Sequence, residues 1–273
     1  MRYWLIMPAA GVGRRFGERT PKQYSSLHGR TVLEWSLAPF LADSRCAGAV
    51  VVLAANDPHW PAVAKRLPTV TVAIGGGDRS QSVRNGLAAL TAPAGAGARA
   101  ERVGVGARSE VGTKVDVGAK VEAGARVEAG ARVEVGDWVL VHDAARPCLV
   151  AEDLNRLLAQ LELHPVGGLL AAPASDTLKA SGIDQEVVRT VDRSGLWRAL
   201  TPQMFRYGRL CDALDAAQAG GRSPTDESQA IEWLGDRPQI VAGSPANIKI
   251  TSAEDLLVAA ALLGARLASD GSD

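Results

Sequence analysis

The residues best equipped for chemistry lie early in the chain, in "PAAGVGRRFGERTPKQY" at positions 8–24, directly after the apolar run 3–7. Gly11 and Gly13 let the backbone turn sharply and approach a ligand closely, while the N–H groups that follow favour negative charge. Arg14, Arg15, Arg19 and Lys22 cluster within nine positions, and only Glu18 is interspersed among them. A solvated face would mix in more acids, so this composition suits a phosphate chain. The bland alternative is a tight strand-to-helix turn that needs glycine for its shape alone. A dinucleotide fingerprint fails in detail, because Phe16 replaces the third glycine and no acid follows about twenty residues on. Walker A is also absent. What remains is an arginine- and lysine-rich loop able to wrap a triphosphate.

Further candidates stand at other strand ends. "VLVHDAARP" presents Asp143 as a carboxylate where a strand would empty into a site, and Arg146 follows within reach of phosphate oxygens or a neighbouring acid. By default such an Asp is a turn former or cap; beside a triphosphate loop it reads as a Mg²⁺ ligand. His142 reads as structural, since no second histidine has metal spacing to it. Gly75-Gly76-Gly77, followed by Arg79 and Ser82, offers either a plain turn and cap or a backbone wall for a flat base, with the Ser82 hydroxyl reading polar edges. In "NIKIT", Lys249 sits in what reads as an apolar strand, where a lysine needs an anionic partner or a route to solvent. There is neither HExxH nor G-x-S-x-G, which argues against a zinc protease and a serine hydrolase.

The elements that must position these residues alternate. Short apolar, β-branched runs at 4–7, 49–53, 70–74, 139–141, 168–172 and 240–241 read as strands buried on both faces. Helical patterns run over 31–41, 82–90, 154–163 and 252–267, the last opening Ser-Ala-Glu-Asp like a capping box. The class is α/β with a mostly parallel twisted sheet, in which ligands bind beyond the carboxyl ends of the strands. Two segments break the rhythm. Residues 176–197 are polar, with "KASGID" as a turn and an alternating "EVVRTV", and read as a protruding hairpin. Residues 103–136 repeat with a period of six, as in "AGARVE". Such hexads suit a left-handed β-helix but make too few coils to bury a core, so an extended excursion is expected.

At 273 residues and 47% apolar content the chain can bury a sizeable core. Thirty basic residues balance thirty acidic ones, so any cationic surface is local, and a nucleic-acid or membrane-surface role loses ground. Three widely spaced cysteines offer neither a disulfide framework nor a zinc ribbon, and no transmembrane or signal segment is read; a cytoplasmic protein is expected.

Taken in order, "PAAGVGRRF" with "PKQY", "GGGDRSQSV", "VHDAARP", "DT" at Asp176-Thr177, "TVDRSGLW", "LTPQ", "TDE" and "NIKIT" resemble the 2-C-methyl-D-erythritol 4-phosphate cytidylyltransferase family of the non-mevalonate isoprenoid pathway. The resemblance spans nearly the whole chain except the hexad repeat. It implies a Rossmann-like nucleotidyltransferase fold over 1–273 as a single domain, carrying the 176–197 arm for homodimerisation and the 103–136 insertion. It further implies CTP and a polyol phosphate as substrates and Mg²⁺ as cofactor. By the same resemblance Ala9, Ala10, Gly11, Gly76, Gly77 and Ser82 cradle the cytidine, Arg15, Lys22 and Lys249 hold the phosphates, and Asp143 binds the metal. Thr177, Arg193, Thr225 and Arg146 match positions around the second substrate, Thr177 and Arg193 reaching it on a partner's arm. A fused cyclase domain, which some relatives carry, is not expected. A ribitol 5-phosphate cytidylyltransferase, or a catalytically silent nucleotide-binding subunit, remains as an alternative.

Overall fold

A computed structural model describes residues 1–11, 20–91 and 133–270. Its strands and helices in chain order are β1 (Tyr3–Pro8), β2 (Ser26–Leu27), β3 (Arg30–Thr31), α1 (Val32–Leu41), β4 (Cys46–Leu53), α2 (Trp60–Ala64), β5 (Val70–Ile74), α3 (Arg79–Thr91), β6 (Trp138–Val141), α4 (Ala151–Leu161), β7 (Gly167–Pro173), β8 (Leu178–Ser181), β9 (Val187–Val191), β10 (Trp197–Arg206), α5 (Tyr207–Ala219), α6 (Glu227–Trp233), β11 (Gln239–Ala242) and α7 (Ala253–Asp270).

The central sheet has the order β11-β7-β10-β6-β1-β4-β5. Every neighbouring pair in it is parallel except those that β10 makes with β6 and β7. The mostly parallel sheet is as expected; the antiparallel β10 is not. "LWRALTPQMFR" carries a proline and charged residues, which disguise it as a loop. Pairing slips between Ala199 and Gln203, and Pro202 falls in that irregular stretch, where no ladder donor is needed.

Alternation along β1 explains why both faces are covered. Tyr3, Leu5 and Met7 point into one core with Leu33, Leu37 and Phe40 of α1 and Leu154, Leu157 and Leu161 of α4. Trp4 and Ile6 point into the other, with Val83 and Leu87 of α3, Leu210 and Leu214 of α5 and Ile231 of α6. Gly86 of α3 allows this second layer to close: a Cβ there would lie 2.8 Å from Ile6 Cγ2 and 2.9 Å from Val52 Cγ2. Helix α1 starts in a full capping box, Thr31 Oγ accepting from Glu34 N and Glu34 accepting from Thr31 N. Asp255 likewise accepts from the Thr251 and Ser252 N–H groups at the start of α7.

Burial on both faces holds for β1, β4, β6 and most of β7 but not for β5 or β11. Those two are the sheet edges, where covering layers run out and Ile74 is 42% exposed. The hairpin expected at 176–197 is β8–β9, paired antiparallel and turning through Gly182–Glu186. Its residues are almost all exposed, so the alternation of "EVVRTV" marks pairing without a buried face.

Residues 103–132 of the hexad segment lie outside the described residues. Its last four residues, 133–136, belong to the body: Val133 is buried against the second core, Val135 O accepts from Gly208 N, and Gly136 O accepts from Arg206.

Candidate functional site

Because β1, β4, β5 and β6 run parallel, their carboxyl ends open on one edge, and the backbone ladder continues past them. Ala9 N donates to Val52 O, Gly75 N to Leu53 O and His142 N to Ile6 O. The segments leaving β1, β5 and β6 therefore lie side by side. They enclose a cleft of about 600 Å³ lined by residues 9–11, Lys22, residues 76–79, Ser82, residues 143–145 and Lys249, among others.

Two of these segments are braced by side chains. Gln23, buried on the turn Lys22–Tyr24, donates from Nε2 to Ala9 O at 2.9 Å and Gly11 O at 3.2 Å, which fixes the turn after β1. Ser82 accepts from Gly76 N at 3.2 Å and donates to Asp78 O at 2.8 Å. Its hydroxyl thus shapes the glycine loop from within. Glycine is required at 75 and 76, since added Cβ atoms would sit 2.5 Å from Ala10 Cβ and 2.4 Å from Gln81 Cβ. The result is two backbone walls in direct contact, fit for a flat ring.

Asp143 lies at the floor. Its Oδ1 accepts from Arg79 Nη2 at 3.1 Å and Nε at 3.3 Å, its Oδ2 lies 2.9 Å from Lys249 Nζ and 3.5 Å from Arg146 Nε. Burial would push the carboxyl up; Arg79, Lys249 and Arg146 outweigh it and hold it well below the usual carboxylate range. The anionic partner that Lys249 needs is thus Asp143. Lys249 does not stand in a strand, as expected, but in an irregular segment after β11. Hydrogen bonds from Ile250 N to Ala145 O, from Arg146 Nη1 to Asn247 O, and from Asn247 Nδ2 to Thr201 O pin that segment. Lys22 Nζ donates to Ile250 O at 2.7 Å, so the turn after β1 and the Lys249 segment are tied together.

His142 is structural, as its isolation predicts. The Arg146 carbonyl can only accept, so Nε2 carries the proton at 3.2 Å from it. Nδ1 then accepts from Thr201 Oγ at 2.9 Å, and that oxygen accepts from Asp143 N at 3.1 Å. Burial pushes this imidazole down to about 4, so it stays neutral and orients the Asp143 backbone.

Of the expected site residues, Ala9, Ala10, Gly11, Lys22, Gly76, Gly77, Ser82, Asp143 and Lys249 line the cleft. Arg146 faces Asp143 and is held by backbone carbonyls. Thr225 is exposed just before α6, and Thr177 and Arg193 lie exposed at the two ends of the β8–β9 hairpin. Arg15, with Arg14 and Arg19, lies outside the described residues. Residues missed in the sequence are Gln23 and Glu227, and the role of Arg79. Gln23 and Glu227 lay within the quoted "PKQY" and "TDE", but only the fold shows what they touch.

The sequence matches the IspD family, 2-C-methyl-D-erythritol 4-phosphate cytidylyltransferase, over residues 3–115 and 121–265. The chain belongs to this family. Proteins of that name from Ectopseudomonas mendocina and Pseudomonas aeruginosa are 46% and 45% identical, each alignment covering 93% of both chains. Among solved structures, a 4-diphosphocytidyl-2C-methyl-D-erythritol synthase superposes with a TM-score of 0.72 at 34% identity, covering 96% of this chain and 98% of the other. The Francisella tularensis 2-C-methyl-D-erythritol 4-phosphate cytidylyltransferase gives 0.67 at 29%, covering 96% and 100%. Membership in the family makes the fold a nucleotidyltransferase sheet and the chain an enzyme. No helix among the described residues is long and apolar enough to cross a membrane.

Proposed function

We propose that the chain joins CTP to 2-C-methyl-D-erythritol 4-phosphate, giving 4-diphosphocytidyl-2-C-methyl-D-erythritol and pyrophosphate in isoprenoid precursor synthesis. The observation that carries this reading is one cleft in which two backbone walls meet a carboxylate flanked by Arg79 and Lys249, with Lys22 in the same lining. Ala9, Ala10, Gly11, Gly76 and Gly77 hold the cytidine by their backbone, and Ser82 keeps the glycine loop in shape. Lys22, Lys249 and Arg15 hold the phosphates. A phosphate oxygen of the polyol phosphate attacks the α-phosphorus in line, and the bond from that phosphorus to the pyrophosphate leaving group breaks. No protein nucleophile is needed. The protein's contribution is to place two mutually repelling anions and neutralise the charge that develops between them.

Asp143 fits a hard divalent cation, because a single buried carboxylate in a phosphate cleft suits an ion such as Mg²⁺ that takes most other ligands from phosphate and water. When bound, Mg²⁺ would supply charge neutralisation on the triphosphate. Among the described residues no group of three or more His, Cys, Asp or Glu is gathered to hold a metal.

Pyrophosphate release measured with methylerythritol phosphate and ribitol 5-phosphate side by side tests the reading. Turnover with the first, lost on adding a chelator and restored by Mg²⁺, is expected. Preference for ribitol 5-phosphate would replace the substrate, and no release with either would leave a nucleotide-binding subunit. A cytoplasmic location is supported by the free thiols of Cys46, Cys148 and Cys211.

The β8–β9 hairpin supports a homodimer. It exposes Ile183, Val187 and Val188, apolar surface that a partner would cover. Arg193 and Thr177 stand outside the cleft of their own chain, and on an exchanged arm they would reach the second substrate in the partner's. Mixing inactive Arg193→Ala chains with inactive Lys22→Ala chains should then restore turnover, since each mixed dimer has one site with both residues intact. Mixed dimers that form and stay inactive would sink the shared-site arrangement.

A further inference from the structure

We propose that Arg79, clamped by the buried carboxylate of Glu227, is a positioning residue that pins Oδ1 of Asp143 and leaves Oδ2 to the ligand. The inference rests on the reading of the cleft as the CTP site. Arg79 opens α3 between two carboxylates. Its Nη1 lies 2.5 Å from Glu227 Oε1 and its Nη2 3.1 Å from Glu227 Oε2, while Nε and Nη2 both face Asp143 Oδ1. Such a fork sets direction as well as distance, which a lysine ammonium does not.

Glu227 is only 1% exposed. Burying a carboxylate is costly and an apolar side chain would pack there without that cost, so its charge answers a positional need. Both of its oxygens accept from Arg79. Its own place is fixed by the start of α6. Asp226 caps Gln229 N, and Gln203 of β10 donates to Asp226 Oδ2 while accepting from Ser228 N. A rigid path therefore runs from β10 through the α6 terminus and Arg79 to one oxygen of Asp143.

The other oxygen is held differently. Lys249 reaches Oδ2 with a flexible side chain that is 41% exposed. When phosphates enter, Lys249 has the freedom to turn to them. Arg79, with Nη1 and Nη2 both bound to Glu227, does not. Oδ2 then keeps only the more distant Arg146 Nε, at 3.5 Å, and opens toward the cleft while Oδ1 stays fixed, and the carboxylate keeps its orientation through turnover.

The test compares Glu227→Gln, Arg79→Lys and their double variant in the full chain. Because these groups are positioning residues, kcat is expected to fall about 10–100-fold in each single variant, with little change in the KM for CTP. Binding of Mn²⁺ in the presence of CTP, followed by the electron paramagnetic resonance of the free ion, is expected to weaken over a similar range. The double variant should lose no more than the worse single one, since Glu227 acts through Arg79. Additive losses, or folded single variants with wild-type kcat and Mn²⁺ affinity, would overturn the proposal. If Glu227→Gln does not fold, Arg79→Lys alone decides by the same two readouts, because its partners stay in place. Wild-type turnover with unaffected variants removes this inference alone; a wild-type chain that releases no pyrophosphate removes the reading of the cleft and the inference with it.

Discussion

Asp143→Asn is expected to lower turnover by about 10²–10³-fold, the scale of losing one preorganised electrostatic contact in a transition state. The amide keeps the size of the carboxylate, and the backbone N–H still has Thr201 Oγ to donate to. What disappears is the single negative charge faced by Arg79, Lys249 and Arg146. The cleft thereby becomes more cationic. CTP binding without divalent ions should therefore be retained or tighter, while turnover at any Mg²⁺ concentration is lost, a combination that general unfolding cannot produce. Arg79 keeps Glu227, but Lys249 and Arg146 lose the carboxylate they face, which also destabilises the fold, so rates must be referred to the folded fraction measured by circular dichroism. Near-normal turnover at limiting Mg²⁺ would remove Asp143 from the proposed metal site.

Lys249→Ala is expected to lower kcat by about 10²–10³-fold as well, but with the fold intact. In the cleft the 41%-exposed side chain of Lys249 pairs with the buried carboxylate of Asp143, and Arg79 and Arg146 remain to balance that charge. Its larger effect comes when the ammonium turns to phosphate oxygens whose charge grows in the transition state. Turnover should consequently fall more than CTP affinity. A variant that raises only the KM would demote Lys249 to a ground-state contact. Lys249→Arg should restore part of the rate, because the charge is kept while the rigid fork approaches phosphate at a different angle.

These two residues also show how differently the parts of the site could be read. Asp143 was legible because a strand, a carboxylate and an arginine follow one another in "VLVHDAARP", and strand-end acids in parallel sheets meet the ligand edge. Lys249 was legible as a lysine in apolar surroundings, but the segment around it is not a strand. Its extended form comes from Ala145, Thr201 and Arg146, all distant in sequence, and not from pairing in the sheet. Strand β10 was hidden for a related reason: a proline in a central strand is tolerated where the ladder slips, and the slip between Ala199 and Gln203 exists only in the pairing with β7.

By itself the sequence determined the alternation of apolar strands with helices, hence the parallel sheet, and the local chemistry of its turns: glycines where backbones must approach, and lysine, arginine and aspartate at strand ends. These follow from periodicity and residue type within a few positions along the chain, which is the range over which sequence patterns carry information. Only the tertiary structure decided which charges face one another. Glu227 and Asp143 are 148 and 64 residues away from Arg79 along the chain, yet they share its guanidinium because α3, α6 and the end of β6 converge on one edge of the sheet. Gln23 and Ser82 turned inward to hold the loops for the same reason: a buried donor or acceptor must find a partner, and the partner is whatever backbone the fold brings within about 3 Å.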